Sequence, residues 1–308
     1  MHQPAVKIRQ YKYLPKCIRM LYNLFMNYYE RAAKFRAKKR LGQNFLIDEN
    51  CIEAVLDALD ITGGDTVIEI GAGLGFLTEN LVKYAKKVYA VEIDKDMVKE
   101  LSKIKADNLE IVHNDILKTD LSQFGSDLKI AANIPYYITS PILAHLLGEI
   151  DDLNNKNRLA IDKIVLMVQY EAARRLAADE NSRVKEFGLL SILGQFWADI
   201  EFLQKVSPRS FFPAPKVESA LLKLNVRKEP LLKLSDYSFF KKTARGCLGA
   251  RRKNIKNSLI NAGFDKDAVK TALKKLKIDE NTRGETLSIQ RIGELSEVLK
   301  QCLQEKLQ

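Results

Sequence analysis

The tetrapeptide Asn133-Ile134-Pro135-Tyr136 follows an apolar run and combines groups suited to methylating a planar amine. An amine conjugated to an aromatic ring is a poor nucleophile, because its lone pair is delocalised into the ring. Hydrogen bonds accepted by the Asn side-chain oxygen and a neighbouring backbone carbonyl would favour the pyramidal, reactive form. Pro135 would stiffen the loop that presents this carbonyl. Tyr136 offers an aromatic face for a base, a contact worth about 1–3 kcal/mol.

This chemistry requires no general base, because the amine becomes strongly acidic as it gains the methyl group and can lose its proton to water. Catalysis would rest mainly on in-line positioning of the reactants. A plain turn can also contain these four residues, so the interpretation depends on the segments that precede them. With those segments, the tetrapeptide predicts a reaction centre for the exocyclic amine of adenine.

An apolar strand, a glycine-rich turn and a helix are predicted in succession around Gly71, Gly73 and Gly75. These glycines would let the chain turn sharply and let a cofactor approach the main chain closely. Such a turn also serves dinucleotide enzymes and can be purely structural. Here Phe76 stands where the dinucleotide fingerprint has its third glycine. Glu69, two residues before the turn, would repel a pyrophosphate but suits a cationic sulfonium ligand.

Two carboxylates follow at the ends of the next two predicted strands. Glu92 lies about 20 residues beyond the turn, where a carboxylate can accept hydrogen bonds from both ribose hydroxyls. Asp115 lies at the carboxyl edge of the predicted sheet, where it could accept a hydrogen bond from an adenine amino group. It could equally be a helix N-cap. The scattered cysteines and histidines predict no metal site.

Positive charge is concentrated in two segments of a chain whose net charge is +11. Residues 1–40 contain eleven Lys or Arg and a single acid, Glu30. A second run without acids, from Phe240 to Phe264, includes Arg251, Arg252, Lys253 and Lys256. Such concentration is typical of a polyanion-binding surface. Two solvated helical faces are the alternative explanation.

Short apolar runs alternate with amphipathic patterns from Leu41 onward, which predicts an α/β fold with a largely parallel sheet covered by helices on both faces. The predicted strands are Thr66–Ile70, Val88–Val91, Leu109–Val112, Leu128–Ala132, Lys163–Val168, Ile200–Val206 and Ala220–Val226. The predicted helices are Glu49–Leu59, Gly75–Tyr84, Lys95–Ile104, Pro141–Gly148, Tyr170–Ala178 and Leu189–Phe196. The last two strands, joined by a Pro-rich loop, could pair antiparallel at an edge.

These patterns divide the chain into three parts. Residues 1–38 are a basic extension, residues 39–228 a Rossmann-like domain, and residues 229–308 a small all-α domain. The extension could form an amphipathic helix over Ile18–Lys38. It could be an organelle-targeting segment, an RNA-binding arm, or an artefact of a translation start that truly lies at Met20 or Met26.

The motifs, taken in order, resemble those of the KsgA-type family of small-subunit ribosomal RNA adenine dimethyltransferases, which methylate two adjacent adenines twice each. The resemblance runs from Lys38 to the C-terminus. The segments that carry it are Arg40–Leu46, Glu69–Thr78, Glu92–Asp94, Asn114–Asp115, Asn133–Pro141, Gln169–Leu176, Phe187–Gly188, Val206–Val217, Arg251–Leu259 and Arg283–Ser288.

The resemblance implies roles for individual residues. The residues implied to contact S-adenosylmethionine are Asn44, Leu46, Gly71, Glu92, Asp115 and Asn133. Asn133 and the Ile134 carbonyl would hold the target amine, and Phe211 would flank the flipped base opposite Tyr136. The loop of Pro208, Pro213 and Pro215 predicts that Phe211 and Phe212 are not core residues. The cations implied to meet rRNA phosphates are Arg251, Arg252 and Lys253, with Lys256 in the same run.

The expected partner is small-subunit rRNA within a pre-ribosomal particle of the 30S type, bound by a monomer. The expected location is the cytoplasm, or an organelle if residues 1–38 are a targeting segment. No membrane contact is expected, since no run approaches ~18 apolar residues.

Three alternatives stay open. The related large-subunit family that confers macrolide resistance shares the same catalytic motifs, although the segments Arg251–Leu259 and Arg283–Ser288 favour the small-subunit family. A methyltransferase acting on a protein or small-molecule amide can use a similar loop. The chain could also serve chiefly as a ribosome-assembly or RNA-binding factor.

Overall fold

The computed structural model describes residues 27–135, 138–182, 186–250 and 252–306. Its strands are β1 (Phe45–Leu46), β2 (Thr66–Ile70), β3 (Lys87–Glu92), β4 (Leu109–His113), β5 (Leu128–Asn133), β6 (Ile161–Gln169), β7 (Ala198–Val206), β8 (Phe211–Phe212) and β9 (Ser219–Val226). Its α-helices are α1 (Glu49–Leu59), α2 (Thr78–Leu81), α3 (Lys95–Leu101), α4 (Thr139–Leu147), α5 (Lys156–Ala160), α6 (Tyr170–Ala177), α7 (Leu189–Trp197), α8 (Tyr237–Leu248), α9 (Ile255–Asn261), α10 (Lys266–Lys275) and α11 (Ile289–Glu305). Residues 27–33 are helical as well.

Seven strands form one sheet in the order β4-β3-β2-β5-β6-β9-β7. The first five strands of this order are parallel, and β9 runs antiparallel to both of its neighbours. The predicted α/β fold and the antiparallel pairing of the last two strands are therefore confirmed. The pair lies at one end of the sheet, as expected, with β7 as the edge strand and β9 joining it to β6.

The order of the strands contains one reversal that matters for the site. The chain runs outward from β2 through β3 to β4, and then returns to the other side of β2 with β5. The carboxyl ends of β2 and β5 are consequently neighbours, with Ile70 paired to Ala132. Open α/β sheets bind ligands at such a reversal, because the loops leaving the two strands diverge there.

A separate two-stranded sheet, which the sequence did not predict, joins the start of the domain to its Pro-rich loop. Phe45 pairs with Phe212 and Leu46 with Phe211. The Ile47 amide extends the pairing by donating a 2.9 Å hydrogen bond to the Ser210 carbonyl. Strands of two residues carry no periodic signal, so only the folded chain shows that β1 and β8 meet.

The helices that follow the last strand pack directly on the sheet domain. Asp236 caps the start of α8 by accepting a 2.9 Å hydrogen bond from the Phe239 amide. Phe240 of α8 is fully buried and stacks on Phe196 of α7, with ring centroids 5.5 Å apart. One hydrophobic cluster accordingly runs from the sheet through α7 into the C-terminal helices.

A second hydrophobic cluster includes part of the predicted N-terminal extension. Tyr28 and Ala32 are buried in it together with residues of α1 and β8. The helix predicted over residues 18–38 ends at residue 33, and residues 1–26 lie outside the described part of the chain. Among the described helices, none is both long and apolar enough to cross a bilayer.

Candidate active site

A cavity of about 230 Å³ lies where the carboxyl ends of β2, β3 and β5 meet. The loop after β4 and the segment containing β1 complete its wall. The predicted site residues that line it are Asn44, Leu46, Gly71, Gly73, Glu92, Asp115, Asn133, Ile134 and Pro135. The fold thus brings together residues that belong to different strands and loops of the chain.

The glycine-rich turn forms one wall of this cavity with its backbone. Gly71 has a φ of +72° and Gly73 a φ of +56°, which L side chains rarely adopt. A Cβ at Gly73 would lie 3.2 Å from the Phe45 ring, and one at Gly71 would lie 3.5 Å from the Asn133 carbonyl. The positive φ values therefore favour glycine at both positions, the space beside Phe45 is also tight at Gly73, and the bare backbone leaves room for a ligand.

Glu92 ends β3 and is buried against the same turn. Its carboxylate accepts a 2.8 Å hydrogen bond from the Gly73 amide and another of 2.8 Å from the Asp94 amide. Burial raises the pKa of this carboxyl, and the backbone hydrogen bonds oppose the shift. Each oxygen keeps a second lone pair. Glu92 is thus fixed in orientation and can still accept hydrogen bonds from hydroxyl groups in the cavity.

Glu69 lies deeper, in β2, and is fully enclosed. It accepts a 2.5 Å hydrogen bond from the Thr78 hydroxyl. Burial raises its pKa to about 8, with the nearby Glu92 adding to the shift. The carboxyl is consequently protonated at neutral pH, which qualifies the sequence argument that it supplies a negative charge. A cation bound nearby would lower this pKa and favour the ionised form.

Asp115 and Asn133 occupy opposite sides of the cavity. Asp115 accepts a 3.0 Å hydrogen bond from the Leu117 amide and caps a 3₁₀ turn, so the N-cap interpretation is correct. It also lines the cavity, and the two roles use different lone pairs. Asn133 ends β5 and donates from its side-chain nitrogen to the Asn44 carbonyl at 3.2 Å. That bond fixes the amide and leaves its oxygen as the acceptor for a substrate amine.

The loop that leaves β5 continues the wall past Asn133. Ile134 is 2% exposed, and its amide donates to the Met167 carbonyl of β6 at 3.4 Å. The Pro135 carbonyl accepts a 3.1 Å hydrogen bond from the Ile138 amide, which precedes α4. Tyr136, the predicted base platform, lies outside the described residues.

Phe211 does not occupy the exposed loop position that the prolines predicted. It is 3% exposed and belongs to the hydrophobic cluster on one face of the sheet, so the prediction that it is not a core residue is wrong. Its strand pairs with β1, which turns the ring inward beside Leu46 of the cavity wall. Phe212 is half-buried and makes an edge contact with Tyr29 at 5.2 Å.

Several residues of the site were not singled out from the sequence. Phe45 lines the cavity against the glycine-rich turn. Gln43 and Lys38 both bind the Asp94 carboxylate, at 2.7 Å and 2.5 Å. The Gln43 and Asp94 positions lie inside segments that resemble the family, but nothing in their spacing indicates that they meet.

Acidic side chains neutralise part of the second basic run in the folded chain. Lys241 binds Asp151 at 2.7 Å and Glu149 at 3.1 Å, and Lys256 pairs with Glu280. Arg252 and Lys253 are exposed, and Arg251 lies outside the described residues. This partial neutralisation was not predicted, because the acids lie outside the basic run in the sequence. Arg252 and Lys253 are the predicted cations best exposed to a polyanion.

Comparison with known sequences identifies the family of this chain. The model of the family described as "Ribosomal RNA adenine dimethylase" matches residues 34–301. A protein of Clostridium botulinum named ribosomal RNA small subunit methyltransferase A is 38% identical over 275 residues, covering 88% of this chain and 96% of its own. A protein of the same name from Clostridioides difficile is 40% identical over 274 residues, covering 86% and 91%.

Two solved structures are also similar to this chain over most of its length. A dimethyladenosine transferase from Plasmodium falciparum superposes with a TM-score of 0.69 at 26% identity, over 82% of this chain and 95% of its own. The 23S rRNA methyltransferase ErmE superposes with a TM-score of 0.62 at 27% identity, over 83% and 100%. The chain therefore belongs to the ribosomal RNA adenine dimethylase family, and it is an rRNA adenine methyltransferase that uses S-adenosylmethionine.

Proposed function

We propose that this chain dimethylates the N6 amines of two adjacent adenines near the 3′ end of small-subunit rRNA, as a step coupled to small-subunit biogenesis. The observation that carries the proposal is the placement of Asn133 beside Gly71, at the mouth of a cavity that Glu92 and Asp115 also line. The choice of the small subunit is supported by relatives of that name at 38–40% identity over most of the chain.

The cavity fits S-adenosylmethionine in its walls and in its donors and acceptors. Gly71 and Gly73 would lie against the cofactor with bare backbone, and Asn44 and Leu46 would cover it from the other side. Glu92 would accept hydrogen bonds from the ribose hydroxyls. The free lone pairs of Asp115 would accept one from the adenine amino group. The cofactor supplies an electrophilic methyl group on a sulfonium.

Asn133 would hold the target amine in line with that methyl group. Its side-chain oxygen and the Ile134 carbonyl would accept the two N–H bonds and so favour the pyramidal amine. The neighbouring Tyr136 would stack on the flipped base. The proton released on methylation would pass to water. A base can contact the Phe211 ring only if the residues that cover it move, because that ring is buried.

The helical residues 229–308 would bind the rRNA, with Arg252 and Lys253 as phosphate contacts, and residues 39–228 would carry the reaction. A single copy contains the whole cavity, which supports a monomer acting on a pre-ribosomal particle of the 30S type. Phosphate contacts of this kind position the protein without reading sequence. The choice of adenines would thus depend on rRNA shape at the cavity mouth.

The direct test supplies labelled S-adenosylmethionine with under-methylated small subunits, large subunits or naked rRNA, and locates the modified bases by mass spectrometry. We expect two dimethyladenosines in small-subunit rRNA. Label confined to large-subunit rRNA would overturn the proposal in favour of a large-subunit enzyme. The likeness to the 23S rRNA methyltransferase ErmE makes that the second candidate.

An assembly role independent of methylation is tested separately with Glu92→Ala. We expect a strain carrying this variant to accumulate immature small subunits. Normal maturation with unmethylated rRNA would contradict the coupling of methylation to biogenesis and favour a role as a binding factor.

A further inference from the structure

The helix of residues 27–33 lies over the outer side of the glycine-rich turn. It precedes residue 34, where the match to the family model begins, so the family resemblance says nothing about it. Its inward residues nevertheless contact Phe76 and the first turn of α2, and Phe76 lines the cavity. The helix therefore touches the cofactor wall from behind.

Tyr28 makes the first of these contacts. Its ring is 4% exposed and stacks on Phe76 with a centroid distance of 4.5 Å and an interplanar angle of 27°. Its hydroxyl accepts a 3.2 Å hydrogen bond from the Asn80 side chain, which also donates to the Phe76 carbonyl at 2.8 Å. Tyr28 thus contacts the Phe76 ring directly, and it is linked to the Phe76 backbone only through Asn80.

Arg31 makes the second contact, one helical turn further on. Its guanidinium donates two hydrogen bonds to the Glu79 carboxylate, at 3.0 Å and 2.6 Å. Its central carbon lies 4.7 Å from the centre of the Phe76 ring. The two-point geometry of such a pair fixes orientation as well as distance. Arg31 therefore fastens the start of α2 and the ring of Phe76 together.

The chain that leaves this helix reaches the loop that follows β3. Lys38 and Gln43 bind Asp94 there, and the Asp94 amide donates to Glu92. Asn44 and Leu46 follow immediately and line the cavity. We name residues 27–46 the strap. The contacts of Tyr28 and Arg31 hold the first part of the strap, and the contacts with Asp94 hold its second part.

We propose that Tyr28 and Arg31 are positioning residues for cofactor binding, acting through Phe76 and Glu79 and through the strap. The apparent affinity of a ligand falls in proportion to the fraction of molecules already in the competent arrangement. Anchoring the turn from behind raises that fraction and so strengthens binding. The proposal rests on the placement of the cofactor in this cavity.

The test measures cofactor affinity directly in the full-length chain, by calorimetric titration with S-adenosylmethionine and with S-adenosylhomocysteine. Arg31→Ala and Tyr28→Ala are each expected to raise both dissociation constants roughly tenfold. The KM for RNA is expected to stay within about twofold of the wild-type value. Tyr28→Phe keeps the stacked ring and is expected to lose much less affinity than Tyr28→Ala.

A matched control exists in the same domain. Lys87 pairs with Glu110 at 3.0 Å and lies 5.2 Å from the Tyr89 ring, so it combines an ion pair and an aromatic contact as Arg31 does. It does not line the cavity. Lys87→Ala is expected to leave cofactor affinity unchanged, whatever it does to the melting temperature.

A charge exchange separates positioning from general stability. The double variant Arg31→Glu with Glu79→Arg is expected to recover most of the affinity that Arg31→Glu alone loses. Affinities for Arg31→Ala and Tyr28→Ala equal to those of Lys87→Ala, with only the melting temperature lowered, would overturn the proposal. Failure of the wild-type chain itself to bind either ligand would instead refute the assigned cofactor cavity.

Discussion

The Thr78 hydroxyl donates a 2.5 Å hydrogen bond to the Glu69 carboxyl, and both side chains are enclosed beneath the glycine-rich turn. This bond stabilises the carboxylate form but does not offset the loss of water, so the pKa of Glu69 is about 8. A carboxyl that stays protonated at neutral pH beneath a cofactor wall is unusual.

Glu69→Gln should stabilise the free protein above pH 4.5. In the unfolded chain Glu69 ionises near pH 4.5, whereas the folded chain keeps its proton to about pH 8. The stability from the protonated form is complete below pH 4.5 and is lost as pH rises through 8. The variant, which cannot ionise, should gain a few kcal/mol over wild type by pH 8.

Urea unfolding at several pH values measures this difference. Glu110→Gln, on the outer strand β4, serves as the exposed control. A gap between Glu69→Gln and wild type that does not change from pH 4.5 to pH 8 would show that Glu69 is not held protonated by the fold.

Binding of S-adenosylmethionine should strengthen as pH rises from 7 to 9. A bound sulfonium favours the ionised form of Glu69, so binding at neutral pH releases a proton and becomes easier as protons become scarce. S-adenosylhomocysteine lacks that positive charge. Calorimetry at each pH should show a steeper dependence for the sulfonium ligand, and Glu69→Gln should remove the difference. Parallel curves for the two ligands in wild type would place Glu69 out of reach of the sulfonium.

Glu92→Ala should raise the dissociation constant for S-adenosylmethionine by about 10- to 100-fold. The variant removes a charged acceptor for the ribose hydroxyls, and a hydrogen bond to a charged group contributes about 1.5–3 kcal/mol. It also removes the carboxylate that accepts hydrogen bonds from the Gly73 and Asp94 amides. Cofactor titration measures the change, and unaltered affinity would exclude Glu92 from the ribose site.

Phe211→Leu should separate packing from base contact. A buried Phe→Ala change costs about 3–5 kcal/mol, whereas a large aliphatic residue keeps most of the buried volume. Phe211→Leu should therefore melt near the wild-type temperature while turnover on rRNA falls. Phe211→Ala should lower both. Full turnover in a folded Phe211→Leu variant would mean that this ring acts only in the core.

Neutralising Arg252 and Lys253 together should weaken rRNA binding and flatten its dependence on salt. Removing one cation that binds a phosphate should reduce the slope of the logarithm of affinity against the logarithm of salt concentration by about 1. Lys256→Gln is the contrasting variant, because Glu280 already neutralises Lys256. Equal slopes for the double variant and wild type would exclude this surface from the rRNA interface.

Much of the site could be predicted from the sequence because parallel strands bring their carboxyl ends to one edge. Glu92, Asp115 and Asn133 each end or follow an apolar run, and their convergence follows from the fold class alone. The burial of Phe211 could not be predicted in this way. It depends on a two-residue strand that pairs with β1, although more than half of the domain's sequence separates the two strands.

The charged surface could also be predicted only in part. The run around Arg252 and Lys253 was visible in the sequence, but the acids that neutralise Lys241 and Lys256 lie outside that run. The strap was missed because the contacts of Tyr28 and Arg31 with Phe76 have no periodic or spacing signal. The amphipathic pattern predicted a helix with an apolar side, but it did not indicate which part of the domain that side would contact.

The pairing of β1 with β8 connects the wall of the cofactor cavity to a surface loop. Leu46 on one strand faces the cofactor cavity, and the other strand belongs to a loop whose Arg209 and Lys216 are exposed to solvent. An RNA bound to this loop would bear on the wall that retains the cofactor. RNA docking and cofactor binding would then be thermodynamically linked, and each ligand would alter the other's affinity by the same factor.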